Sequence, residues 1–199
     1  KLSVLDYCIK RCKKSKIKNI VLCTSNNKND KIYEEYAKKN KVKIFRGSKN
    51  NVLKRYIDCA EKYNISNIIR ITGDCPLVDM NMINNLLDIY KKNNYDYVSN
   101  VTPPTFPDGL DVEIIKLSAL KRSYFENKSN SNKEHITLHI RQNNKYIKYN
   151  MSYNKNNLSK IRWTVDTEND LKLIKKIVMK FHPKIHFDWK EIYKLREFN

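Results

Sequence analysis

Two acids stand directly after short apolar runs of the kind that form buried strands. RITGDCPL at residues 70–77 ends such a run at Gly73 and delivers Asp74. RWTVDTEND at residues 162–170 ends another and delivers Asp166. Carboxylates from two strands at one sheet edge suit a hard cation. Mg2+ takes one or two of them and fills its other positions with water and substrate phosphates. Plainer readings stand beside this one. Gly-Asp is ordinary turn chemistry, although Gly73 would also let a ligand approach the backbone closely. Glu168 and Asp170 would lie in the first turn of a following helix, where acids complement the helix dipole, and for Asp170 that is the preferred reading. FPDGLDVE at residues 106–113 gathers three acids around a turn. Asp108 and Gly109 form a common tight-turn pair. Asp111 and Glu113 would share one face of a strand, placed to bind hydroxyls or a cationic group. FRGS at residues 45–48 is a strand that opens into a glycine turn.

The elements that must position these groups alternate helix and strand. Leu2, Leu5, Ile9 and Cys12 mark one face of an opening helix. Residues 19–24 read as a buried strand, 30–40 as a helix, 42–45 as a strand and 52–63 as a helix. Residues 67–72 (NIIRIT) are the clearest central strand, apolar and β-branched. A helix at 79–92 and strands at 96–99 and 111–115 follow, the last entered through the turn-rich stretch 103–109. Residues 131–142 read as a helix with Ser131 or Asn132 as N-cap and Glu134 in its first turn. Strands at 146–151 and 162–165 and helices at 167–181 and 189–198 close the chain. The alternation predicts one three-layer α/β domain over residues 1–199, with a mostly parallel sheet. Ligands of such sheets bind beyond the carboxyl ends of the strands. That rule points to Thr24, Arg46, Gly73, Asp74, Ser99, Asn100 and Asp166.

Composition narrows the function classes. A hydrophobic share of 40% supports a core, and 13 Tyr with 6 Phe argue against disorder. Nothing approaches the ~20 apolar residues of a membrane helix. Residues 1–18 alternate charge with apolar residues, unlike a signal peptide, so the expected compartment is the cytoplasm. The net charge of +19 admits nucleic acid or an anionic small molecule as partner. The lysines are scattered, however, and Arg, on which base readout leans, is scarce beside Lys. A lysine-rich surface is the simpler reading, and no nucleic-acid partner is expected. Five cysteines without paired C-x-x-C spacing suggest neither a disulfide framework nor a zinc site. Cys8 and Cys12 read as core residues. His182 and His186, separated by Pro183, are a weak metal pair.

Six segments in order carry a resemblance: FRGSKNNVLKRY (45–56), RITGDCPLVD (70–79), DYVSN (96–100), FPDGLDVE (106–113), KEHIT (133–137) and RWTVDTENDL (162–171). Together they resemble the cytidylyltransferase-like family that includes the CMP-sugar-acid synthetases, above all its spore coat polysaccharide (SpsF-type) branch. The resemblance implies a Rossmann-like nucleotide-diphospho-sugar transferase fold, CTP as donor and Mg2+ as cofactor. It implies transfer of CMP to an acidic sugar of sialic, legionaminic or KDO type, with release of pyrophosphate, for surface polysaccharide. Asp74 and Asp166 match the family's metal-binding, catalytic acids. Thr24 and Gly73 fall on the nucleotide side. Arg46, Arg70, Asn100, Asp108, Asp111 and His135 fall in segments that line the sugar side. Arg46 or Arg70 would meet the sugar carboxylate at two points; the alternative for either is an ion pair with a neighbouring acid. A homodimer is implied as well. Family members open with a strand and a Gly, Arg and Lys loop that wraps the triphosphate, whereas these 199 residues open in the first helix. The resemblance therefore implies either a fragment, which is the preferred reading, or a protein that has lost catalysis, and a sheet with an unpaired edge or a gap where that strand would lie. The rival readings are a nucleotidyltransferase for another nucleotide or sugar phosphate, a basic nucleic-acid-binding module with steep salt dependence, and a non-catalytic interaction subunit.

Overall fold

The structure, a computed structural model, describes residues 2–126 and 135–199. Helix α1 (Val4–Lys13) starts at a capping box in which Ser3 and Asp6 exchange side-chain and backbone hydrogen bonds. Strands β1 (Val21–Ser25) and β2 (Lys43–Gly47) pair in parallel, from Val21 opposite Lys43 to Ser25 opposite Gly47. A 3-10 turn (Lys28–Ile32) and α2 (Tyr33–Lys39) make the crossover between them. Then follow α3 (Val52–Lys62), β3 (Asn67–Arg70), α4 (Met80–Lys92), β4 (Tyr97–Ser99), β5 (Glu113–Lys116) and α5 (Leu117–Glu126). The chain closes with α6 (Leu138–Gln142), β6 (Lys148–Asn150), α7 (Glu168–Phe181) and α8 (Trp189–Lys194).

The sheet is mixed, not mostly parallel. A four-stranded sheet runs in the order β3-β5-β4-β6, with β5 antiparallel to both its neighbours and β6 parallel to β4. The reason lies between β4 and β5. That stretch holds turns and no crossover helix, and a strand reached without a crossover comes back antiparallel. β1 and β2 form a separate two-stranded sheet.

Three layers follow from the strand period of two. Ile114 of β5 and Val98 of β4 join one core cluster with Ile83 and Leu86 of α4 and Ile174 and Ile177 of α7. Their chain neighbours Ile115 and Tyr97 join the other, with Leu53 and Ile57 of α3, Leu120 of α5 and Ile140 of α6. Helices therefore cover both faces of the four-stranded sheet.

One buried cation fastens α1 to this body. Arg11, 2% exposed, donates to the carbonyls of Leu77, Val78, Ile185 and Phe187 at 2.7–3.3 Å, and its guanidinium lies 4.5 Å from the centre of the Phe187 ring. The helix expected at 131–142 is α6, which starts only at Leu138. Ser131, Asn132 and Glu134 lie outside the described residues. Thr137 occupies the N-cap position without capping, because its hydroxyl goes to Glu113 at 2.7 Å. Among the described residues, no helix is long and apolar enough to cross a membrane.

Candidate active site

Two acid-bearing turns and one extended segment build the site. The segment 162–165 was expected to be a strand. It makes a single parallel bridge, Arg162 to Asp108, because its amide groups serve loops instead of a ladder. The Trp163 N–H donates to the Asp108 carbonyl at 2.8 Å, the Val165 N–H donates to the Asp74 carbonyl at 3.0 Å, and the Ile161 carbonyl accepts from the Asp108 N–H at 2.9 Å. The segment is thus stitched to both turns at once. Trp163 anchors it from below, fully buried, with its indole N–H on the Phe198 carbonyl at 2.9 Å. Gly109 permits the close approach: its φ is +100°, and a Cβ there would sit 2.7 Å from the Trp163 carbonyl carbon.

The side chains on this frame are mostly acids. Arg162 forks across three of them: Nη1 reaches Asp108 at 3.1 Å, Nε reaches Asp170 at 3.2 Å, and Nη2 pairs with Asp166. Asp170 completes a capping box with Thr167 at the start of α7, so the structural role preferred for it from the sequence is present, together with an ion pair that was not foreseen. The carboxylate of Asp74 has one side-chain partner among the described residues, the Cys75 thiol at 3.5 Å. Burial pushes the Asp108 carboxyl above its ordinary pKa; Arg162 opposes this, and the charges of Asp166 and Asp74 add to it. Asp111 is pushed up to about 6, first by burial and then by Asp108, Glu113 and Asp74, against Arg70. Asp108, Asp166 and Asp170 therefore meet at the Arg162 guanidinium, while the charges of Asp74 and Asp111 act on the same group of acids and Arg70 acts on Asp111. This is a locally acidic site in a strongly basic chain.

That donor set fits a hard divalent cation by its chemistry. All its ligating atoms are carboxylate oxygens, and Asp74 keeps lone pairs with no cationic partner among the described residues. No group of three or more His, Cys, Asp or Glu is arranged to hold a metal among the described residues.

The neighbouring residues divide into supports and outliers. Glu113, 2% exposed, accepts from Tyr97 at 2.5 Å and Thr137 at 2.7 Å and pairs with Arg70. The ion-pair alternative raised for Arg70 is what the structure contains. Glu113 begins β5, and Asp111 lies ahead of the strand, so the two acids do not share a strand face as expected. Instead Asn100 shapes that stretch. It is buried, its amide donates to the Leu110 carbonyl at 2.9 Å, and its oxygen accepts from the Val112 N–H at 2.8 Å. Thr24 and Arg46 sit opposite one another in the β1–β2 sheet and not in the sheet that carries Arg70 and Glu113. Arg46 is engaged with Glu34 at 2.8 Å and with the carbonyls of Ser25 and Asn27. His135 is exposed just before α6. Gly73 is exposed, and a Cβ there would meet only the Leu5 side chain, at 3.3 Å. Arg162 is the residue that sequence reasoning passed over. Its contacts with Asp166 and Asp170 arise where the extended segment turns into α7 at Thr167, which the sequence pattern does not record.

Comparison with known proteins gives a consistent picture. A family model described as cytidylyltransferase matches residues 2–194. An uncharacterized protein of Methanocaldococcus jannaschii is 33% identical over 173 residues, covering 85% of this chain and 70% of its own length. The spore coat polysaccharide biosynthesis protein SpsF of Bacillus subtilis is 29% identical over 170 residues, covering 81% of this chain and 68% of its own. Among solved structures, a cytidylyltransferase from Leptospira borgpetersenii superposes with a TM-score of 0.93 at 32% identity, over 98% of this chain and 83% of that one.

Proposed function

The chain belongs to the cytidylyltransferase family, and from that premise we propose that it transfers CMP from CTP to a hydroxyl of an acidic sugar, releasing pyrophosphate. The sugar is of sialic, legionaminic or KDO type, and the product serves surface polysaccharide. The observation that carries this reading is the carboxylate cluster around Asp74 and Asp166. A triphosphate is strongly anionic and would be repelled by these acids alone, so the cluster makes sense as half of a cation-bridged site. A nucleic-acid backbone would meet the same repulsion, which counts against the basic-module reading despite the net charge of +19.

Asp74 and Asp166 are the residues that would hold Mg2+, which when bound neutralises phosphate charge and polarises the oxygens it touches. The chain's own contribution is positioning and electrostatics, as in phosphoryl transfer generally. Asp111 has no hydrogen-bond partner among the described residues and a raised carboxyl, so it is placed to accept a hydrogen bond from a sugar hydroxyl. Both arginines offered for the sugar carboxylate are already paired, Arg46 with Glu34 and the carbonyls of Ser25 and Asn27 and Arg70 with Glu113, so Arg70 would reach that carboxylate only with the donors its Glu113 pair leaves over. The sugar assignment draws support from the Bacillus subtilis relative, whose name places it in polysaccharide biosynthesis. A homodimer belongs to the same proposal.

The test is pyrophosphate release from each of the four ribonucleoside triphosphates with a panel of acidic sugars, neutral sugars and sugar phosphates. Release with CTP and an acidic sugar, abolished in Asp74→Asn and in Asp166→Asn, is the expected result. Release that requires a sugar phosphate, or another nucleotide, would replace this reading with the rival nucleotidyltransferase.

A further inference from the structure

Arg162 is the only cation that pairs with the carboxylate cluster among the described residues, and its contacts are unequal. Asp170 is committed: besides Arg162 it accepts from the backbone N–H groups of Asp166 at 3.0 Å and Thr167 at 2.9 Å, which fixes it to the start of α7. Asp166 is not committed. Its side chain is 57% exposed, and Arg162 is its one side-chain partner. Asp108 is likewise held only by Arg162 among side chains. The guanidinium is thus anchored on one acid and reaches out to two others, one of them a proposed cation ligand. Exposed ion pairs of this kind are worth little and exchange readily.

We infer that Arg162 is a resident counter-cation of the site. It holds Asp108 and Asp166 together while no metal is bound, gives up Asp166 when a divalent cation arrives, and thereby sets the site's cation affinity. The inference rests on the reading that Asp74 and Asp166 hold that cation. Its sign is opposite to what a merely structural arginine would give. A doubly charged ion ~6 Å from a guanidinium is disfavoured about tenfold even in a water-like dielectric. Removing the guanidinium therefore tightens cation binding, although it loosens the side chains around it.

The experiment is a titration of the protein with Mn2+ alone, read by the EPR signal of free Mn2+, at moderate salt and without nucleotide. Arg162→Gln is expected to bind Mn2+ about tenfold tighter than the unsubstituted protein. Arg162 is 44% exposed in its side chain, so the variant is expected to fold, as circular dichroism would check. Lys180→Gln removes the same charge near the far end of α7, roughly 18 Å from its start, and is expected to stay within about twofold. Arg162→Lys keeps the charge while losing the fork, and is expected to stay within about threefold. If the glutamine variant fails to fold, Arg162→Ala removes the same charge and carries the same expectation. Unchanged or weaker Mn2+ binding in Arg162→Gln overturns the inference, as does equal tightening in Arg162→Lys. Asp74→Asn that binds Mn2+ like the unsubstituted protein overturns the site assignment beneath it instead.

Discussion

Replacing Gly109 with alanine is expected to cost about 3–4 kcal/mol and to spread the acid-bearing turns apart. The backbone at Gly109 has φ +100°, where an L-residue is strained by roughly 1–2 kcal/mol. The added Cβ would lie 2.7 Å from the Trp163 carbonyl carbon, 2.8 Å from its oxygen and 2.9 Å from the Thr164 nitrogen. All three are backbone atoms, so no side chain can swing away. The turn must lift off the 161–164 segment, which breaks the Asp108–Ile161 and Trp163–Asp108 hydrogen bonds at about 1 kcal/mol each. Urea unfolding followed by circular dichroism reads the sum: with a slope of roughly 2 kcal/mol/M, the midpoint falls by about 1.5–2 M. Gly73→Ala is the control, since its Cβ meets only the flexible end of Leu5 at 3.3 Å, and its midpoint should move by less than about 0.3 M. A Gly109→Ala midpoint within about 0.3 M of the unsubstituted protein would refute the argument that this glycine holds the two loops together.

Arg11→Met strands four carbonyl acceptors under α1; a loss of about 3 kcal/mol should appear in a thermal melt as a fall of roughly 6–12 °C. Burial alone would raise the pKa of Asp6, but hydrogen bonds from Lys39, Asn40 and Ser3 outweigh it and hold the carboxyl well below its ordinary value of 3.8. A depressed acid contributes stability above its unfolded value and loses it as pH falls toward the folded one, so stability should drop below about pH 4, and less steeply in Asp6→Asn. Asp111 has the opposite sign. Held up to about 6, it keeps a proton that the unfolded chain gives up near pH 4, so the folded state weakens as pH rises from about 4 to 6. Asp111→Asn should therefore gain about 1–2 kcal/mol at pH 7.5 and little at pH 4, while weakening sugar binding; urea midpoints at the two pH values check the first part.

Local patterns in the sequence carried the elements well, because short apolar runs and helical stripes report directly on burial. β1, β2 and β3 lie within a residue or two of their expected places, and Asp79 and Thr167 cap α4 and α7 where the polar residues stand. Pairing was less legible. A four-residue run such as EIIK reads the same in either strand direction, so the antiparallel setting of β5 had to come from the missing crossover before it. Residues 162–165 have the composition of a strand, yet their amides serve the Asp74 and Asp108 loops, a long-range choice that local pattern does not record. The acids at 74, 108, 111 and 166 were visible as groups at the ends of runs. Their neutralisation by Arg162, the tie from Glu113 to Arg70, and the grip of Asn100 on the 110–112 backbone depend on which loops meet. Arg46 illustrates the converse: it stands at a strand end as expected, and its neighbours in space, Glu34 and the 25–27 loop, already occupy it.

The most direct test of the central claim is isothermal titration of the protein with CTP, with and without Mg2+, at moderate salt, beside the Asp74→Asn variant. The account predicts CTP binding that needs Mg2+ and is lost in the variant. CTP binding of equal strength without Mg2+, or binding that survives Asp74→Asn unchanged, would contradict it.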